Sequence, residues 1–183
     1  MNIQEKNIYM KKIWIYLLAI CSVAIAFSSC SEDSADKWRN DNLAFYNRIK
    51  KVPNVHAIGD SINGYSGVCY QIIKEGSGEK LPIFGNVVNV SYTAWIYNDT
   101  ISYENVPELN TDDAFNSDSD YDFKIGGDVI EGWNIAIQYM SVGDKWRIFI
   151  PYYLGYGNFD NSNVPAYSTL IFDIELKEIV SDN

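Results

Sequence analysis

From Gly67 onward, apolar and polar residues trade places in short runs broken by Gly, Asn and Asp. Val88, Val90 and Tyr92 alternate with Asn89 and Ser91, and Trp146, Ile148 and Ile150 alternate with Arg147 and Phe149. A period of two places one set of side chains on each face of a strand, so these runs predict half-buried antiparallel strands. Strands are expected at Val68–Lys74, 87–97, 122–125, Lys145–Ile150 and 169–180. One stretch among them reads as a helix, about 133–140, with Ile135, Ala136, Ile137, Tyr139 and Met140 turned to the sheet and Gly143 placed to cap its C-terminus. Ahead of the strands, residues 36–51 carry Trp38, Leu43, Phe45, Tyr46 and Ile49 at helical spacing, crowd Lys and Arg into the last turn and stop before Pro53. Residues 54–67 are polar and turn-rich. The prediction is an α+β domain: a curved antiparallel sheet wrapped around one short helix, with an N-terminal helical extension.

The front of the chain has another texture. Lys11 and Lys12 precede an apolar run of about 15 residues, which is short for a membrane span of about 20, and small residues lead to a cysteine. This is the layout of a secretory signal. Phe27-Ser28-Ser29-Cys30 resembles a bacterial lipobox, which implies lipidation of Cys30 and loss of residues 1–29; a plain membrane anchor or an ordinary cleaved signal is the alternative. Cys21 fits less well because Ile20 before it is not small. The acidic stretch after Cys30 (Ser31-Glu32-Asp33-Ser34-Ala35-Asp36) reads as a tether over 30–36 and resembles the surface-export signal of Bacteroidetes lipoproteins. The expected division is 1–29 signal, 30–36 tether, 37–66 helix and linker, and 67–180 as the domain, anchored by lipid in a bacterial envelope, at the outer membrane.

Composition then narrows the chemistry. The 183 residues carry a formal net charge of −10, and the part after residue 29 about −12, with 11 basic against 23 acidic residues. A surface this acidic argues against nucleic-acid binding. Three cysteines and one histidine, His56, are too few for a zinc site of ordinary spacing. Cys69, the one thiol past the signal, reads as a half-buried strand residue. Asp112-Asp113 and Asp118-Ser119-Asp120 lack the Gly and final Glu of a calcium loop and read as a solvated acidic loop. Gly76-Ser77-Gly78 is a turn, with no Lys-Ser/Thr behind it to make a phosphate cradle. No metal or cofactor is expected. The polar segment between Trp95 and Phe115 is long for a loop without a function.

Four blocks follow one another in a recognisable order: GNVVNVSYTAWI, FKIGGDVIEGWNIAIQYMSVGDKWRIFIP, LGYG and VPAYSTLIFDIEL. Over about residues 67–180 the chain resembles the FKBP-type peptidyl-prolyl isomerases, and its lipoprotein-like front resembles that of Bacteroidetes members. The resemblance implies a pocket in which Trp133 is an indole floor under a proline ring, Tyr92 a wall, Val129 and Ile130 the pair before the helix, and the Ile130 N–H a donor to a ligand carbonyl. Tyr156 would donate its hydroxyl, Phe172 close the base, Tyr121 stand where the family has phenylalanine, and Val164 lie near the tip of an overhanging loop. Where the family has Phe-Asp, the match is Phe115-Asn116, reached after an insertion of about a dozen residues; an ungapped reading would place Ser102 or Tyr103 there. Asn116 accepts hydrogen bonds but carries no charge. The implied function is isomerisation of X-Pro bonds in exported or envelope proteins, with proline-containing polypeptides as partners and a macrolide as a ligand. The second reading is a catalytically weak FKBP-fold lipoprotein that binds peptides or proteins.

Overall fold

The computed structural model describes residues 33–58, 67–98, 101, 109–127 and 129–181. The signal, Cys30 and the first residues of the acidic tether, 31 and 32, lie outside the described residues. Helix α1 (Ser34–Ile49) is followed by β1 (His56–Ile58), β2 (Val68–Lys74), β3 (Val87–Ile96), β4 (Asn116–Lys124), helix α2 (Glu131–Ile137), β5 (Lys145–Ile150) and β6 (Leu170–Ser181). The six strands form one antiparallel sheet in the order β1-β2-β5-β6-β3-β4. No described helix is long and apolar enough to cross a membrane.

Two layers of side chains cover the sheet. On one face Trp133, Ala136, Ile137 and Met140 from α2 and its exit pack on Val68, Val88, Val90, Ile148, Ile150 and Phe172. On the other face Phe45, Tyr46 and Ile49 from α1 pack on Cys69, Trp95, Phe149 and Ile171. This corrects the half-buried expectation for β5. Trp146, Ile148 and Ile150 belong to the first layer, while Phe149 lies under α1, so the strand is buried on both faces. Arg147 shares the α1 side and is neutralised there. Its Nε and Nη2 donate to the two carboxylate oxygens of Asp173, directly opposite on β6, at 2.6 and 2.7 Å.

Several boundaries differ from the sequence expectation, each for a local reason. Helix α1 starts at Ser34, inside the predicted tether, because Asp36 in its first turn suits the helix dipole. The polar linker contains β1, whose three residues pair with Val68, Cys69 and Tyr70. Strand β4 is twice its predicted length, so Asp118 and Asp120 lie in an exposed edge strand rather than in a loop. Charges suit a free edge, which would otherwise invite pairing by another chain. Gly143 does not cap the helix, which ends at Gln138; it takes φ of 92° in the turn into β5 and donates to the Leu176 carbonyl at 2.7 Å. Tyr139 is exposed, pointing away from the sheet. Cys69 is wholly buried, not half-buried. Its thiol donates to the Tyr46 hydroxyl at 3.4 Å, burial pushes its pKa up, and Tyr46 in turn donates to the Gly67 carbonyl.

Candidate active site

The site starts from a close approach of α2 to the sheet. A Cβ at Gly132 would stand 2.5 Å from Ile150 Cγ2, so only glycine lets the helix settle there and carry Trp133 inward. Trp133 is buried in the first layer. One residue further, Asn134 accepts from the Gly126 N–H at 2.8 Å and donates to Glu131 at 3.3 Å. That bond ties the turn after β4 to the helix it feeds. Ile130 caps the helix in an extended conformation, and its carbonyl accepts from the Trp133 N–H at 3.0 Å. Val129 and Ile130 are thereby held at the cleft beside the indole.

Strands bring the other aromatics to Trp133. Tyr92 of β3, Phe172 of β6 and Tyr121 of β4 stand nearly edge-on to the indole, with centroids 5.0, 5.3 and 6.1 Å away. Edge-to-face pairs at this spacing are the preferred aromatic arrangement. The cleft they enclose, about 290 Å³, is lined by Tyr92, Phe115, Asn116, Tyr121, Val129, Ile130, Trp133, Tyr156 and Phe172. Phe115 is fixed by its N–H, which donates to the Ala94 carbonyl at 2.9 Å, and the Asn116 amide donates to the Tyr92 hydroxyl at 3.0 Å. The alternative positions Ser102 and Tyr103 lie outside the described residues.

Val164 is the candidate the structure sets apart. Backbone bonds between Asn161 and Val164, 2.9 and 2.6 Å, double the loop back on itself and turn Val164 into the core, where it is 6% exposed. It lines an adjoining cleft with Asn161, Ser162 and Asn163 that shares Phe115, Asn116 and Tyr156 with the first. It thus closes the turn at the end of this loop, in the same buried cluster as Trp133.

The titratable groups lining the main cleft are three tyrosines. Burial raises the pKa of Tyr92, with the Asp118 charge and neighbouring tyrosines adding to it and the Asn116 bond opposing. Burial, then Tyr121, raises that of Tyr156. Both phenols therefore stay protonated, and able to donate, throughout the neutral range. The sign for stability follows: protonated phenols are favoured by the fold, so their contribution is full below the ordinary tyrosine value of about 10 and is lost as pH rises through the folded values. A catalytic rate that depends on this cleft is expected to be flat between about pH 5 and pH 9. The Asn116→Asp variant should add an acidic limb in the carboxylate range. A pH series of exchange rates on both proteins checks this; a parent profile that bends near pH 4 to 6 would count against an uncharged cleft.

Two residues of the site lack a signal in the sequence reading. Phe123 stacks on Tyr121 and tilts against Trp133, 5.3 Å away, as a second layer behind the cleft. Its neighbours on β4 are so polar that nothing marks it as core. Asn134 interrupts an apolar helix pattern, and a lone polar residue there reads as solvent-facing until its partners Gly126 and Glu131 are known. Among the described residues no group of three or more His, Cys, Asp and Glu is placed to hold a metal ion.

The sequence profile of the FKBP-type peptidyl-prolyl cis-trans isomerases matches residues 78–177. The macrophage infectivity potentiator of Trypanosoma cruzi is 31% identical over 175 residues, spanning 88% of this chain and 82% of its own length. The FK506-binding protein 1 of Aspergillus oryzae is 36% identical over 62% of this chain and 98% of its own length. The crystal structure of a peptidyl-prolyl cis-trans isomerase from Pseudomonas syringae superposes with a TM-score of 0.63 at 23% identity, covering 81% of this chain and 97% of that one, a likeness of fold. With the profile matching over half of the chain, and the sheet and helix arrangement shared with a solved isomerase, the chain belongs to the FKBP-type peptidyl-prolyl cis-trans isomerases.

Proposed function

We propose that this chain isomerises X-Pro peptide bonds of exported or envelope proteins in the aromatic cleft floored by Trp133. The observation that carries the reading is the ring of Tyr92, Tyr121 and Phe172 set edge-on around one buried indole. Rotation about an X-Pro bond faces a barrier of about 18–20 kcal/mol because resonance must be broken. The twisted amide is less polar than the planar one, so an apolar, water-poor cleft binds it better than the ground state. Stronger binding of the transition state is catalysis without a nucleophile. A 10⁴-fold acceleration requires about 5.5 kcal/mol of such preference. In this reading the proline ring lies on Trp133, Phe115 and Phe172 exclude water, and the Ile130 N–H and the Tyr156 hydroxyl hold substrate carbonyls. Tyr156 is suited to the last task because it is 37% exposed at the cleft and its raised pKa keeps the proton on.

Lys11, Lys12 and the lipobox-like Phe27-Ser28-Ser29-Cys30 support delivery to a bacterial envelope on a lipidated Cys30, with exported polypeptides as substrates. The Aspergillus relative is named for FK506, which supports a macrolide of that kind as a competitor for the cleft.

A second reading, a peptide-binding module of weak activity, is favoured by Asn116, which gives Tyr92 an uncharged partner. Cis–trans exchange in a panel of Xaa-Pro peptides, followed by NMR with the full chain in detergent, decides between them. Accelerated exchange, suppressed by FK506, is expected. Peptide-induced shifts around Trp133 without acceleration would establish the binding module instead.

A further inference from the structure

Helix α1 lies outside residues 78–177, which match the family's sequence profile, yet it is bonded to the loop beside the cleft. Gly157 to Thr169 leaves the Tyr152–Leu154 turn, doubles back at Asn161 and Val164, and returns to β6, three residues ahead of Phe172. The return limb is held from the α1 side. The Trp38 indole N–H donates to the Ala166 carbonyl at 3.1 Å. The Arg39 guanidinium lies 4.8 Å from the Tyr167 ring centroid. Asn42, fully buried, accepts from the Thr169 N–H at 2.6 Å through its side chain and from the Thr169 hydroxyl at 3.2 Å through its carbonyl. Its amide is used too, donating to the Trp38 carbonyl at 3.0 Å.

These bonds meet a limb that is costly to hold. Tyr167 has φ of 63°, a conformation that residues with a side chain seldom adopt without support. Its N–H donates to the Gly157 carbonyl at 2.9 Å, so the strained residue also ties the two ends of the loop together. Whatever fixes residues 166–169 fixes where Val164 and its neighbours stand against Tyr156 and Asn116 in the adjoining cleft.

We propose that Trp38, Arg39 and Asn42 are positioning residues of the isomerase site: α1 clamps the 166–169 limb and so sets the wall that a substrate meets beside the proline. The proposal rests on the isomerase reading for its kinetic consequence, but its geometric part stands apart from catalysis. Loss of the clamp acts on substrate binding, because the chain flanking proline touches the loop, while the indole floor is untouched.

The test uses the full chain carrying Trp38→Phe and Arg39→Gln together. This pair removes the contacts to Ala166 and Tyr167 and leaves Asn42 and the α1 core intact. The Ile49→Val variant is the control, loosening the same helix where it faces the sheet and not the loop. The double variant is expected to raise KM for Xaa-Pro peptides by about three- to ten-fold with kcat changed by less than about two-fold, and to shift the Val164 methyl and Tyr156 ring signals. Ile49→Val should match its loss of melting temperature without that split. Equal kinetics in parent and double variant with unmoved Val164 signals, or the same KM rise in the control, would overturn the proposal. A parent that leaves exchange unaccelerated would sink the isomerase reading alone. The clamp is then judged on peptide Kd and the Val164 shifts, and it fails if neither moves in the double variant.

Discussion

Exchange of X-Pro peptides is expected to slow by about ten- to a hundred-fold at saturating enzyme when Trp133 becomes alanine, a loss of about 1.4–2.8 kcal/mol of transition-state preference. The indole is the one group that Tyr92, Tyr121, Phe123 and Phe172 all face, at centroid distances from 5.0 to 6.1 Å. Removing it takes away the floor and opens the cleft to water, which stabilises the planar amide over the twisted one. The same change leaves a cavity in the α2 layer and should lower unfolding free energy by about 3–5 kcal/mol. Against the usual total of about 5–15 kcal/mol, the variant stays folded at room temperature wherever the parent holds more than about 7 kcal/mol. Rate and stability are separated by measuring urea unfolding beside exchange, and by Trp133→Phe, which keeps an aromatic face and should recover much of both. A folded Trp133→Ala protein with the parent's exchange rate would remove the indole from the mechanism.

Asp173→Ala is expected to destabilise by about 3–5 kcal/mol, as much as the loss of the indole, although it lies on the opposite side of the sheet. Arg147 and Asp173 keep only 7% and 14% of their side chains exposed and share two short hydrogen bonds. With Asp173 gone, the buried Arg147 guanidinium loses both of these bonds while it stays packed beside Trp95, whose ring centre is 5.8 Å away. Most of the cost is a buried cation deprived of this carboxylate, not the worth of the pair. Replacing both by apolar residues of similar size, Arg147→Met with Asp173→Leu, should therefore return stability to within about 1–2 kcal/mol of the parent. Denaturant curves of the three proteins check the pattern, and a double variant as weak as the single one would contradict it.

How far the sequence could be read depended on what each residue faces. Val88, Val90 and Tyr92 face a core while Asn89 does not, so period two was plain and β3 was found nearly to the residue. In β5 the same alternation was present, but Arg147 looked like a solvent residue because its partner is 26 positions away. The stripe on α1 was visible; that it covers the second face of the sheet was not, since periodicity says which side is apolar and not what lies against it. Strand β1 has three residues, too few to show a period, and the first half of β4 is Asn-Ser-Asp-Ser-Asp, which belongs to a strand only because β3 offers it hydrogen bonds. The site residues were gathered by resemblance, most of them in four ordered blocks and Phe115, Asn116 and Tyr121 between the first two. Spacing alone would have made each of those aromatics core, and Trp133 and Phe172 are indeed part of it. Asn42 and Asn134 went unremarked, because a buried amide is recognisable only once its partners are known.

The place of β6 in the sheet bears on how the chain reaches this state. The last strand in chain order lies in the middle, between β5 and β3, and pairs with β3 from Leu170 to Ser181 and with β5 over its first half, Leu170 to Glu175. Until residues 170–181 arrive, β1, β2 and β5 form one fragment of the sheet and β3 and β4 another, with no strand pairing between them and two open edges. Phe172 and Ile171, which complete the layers under α2 and α1, arrive with the same strand. Closure is thus a late, long-range event, of the kind that slows folding and leaves apolar edges open to other chains meanwhile.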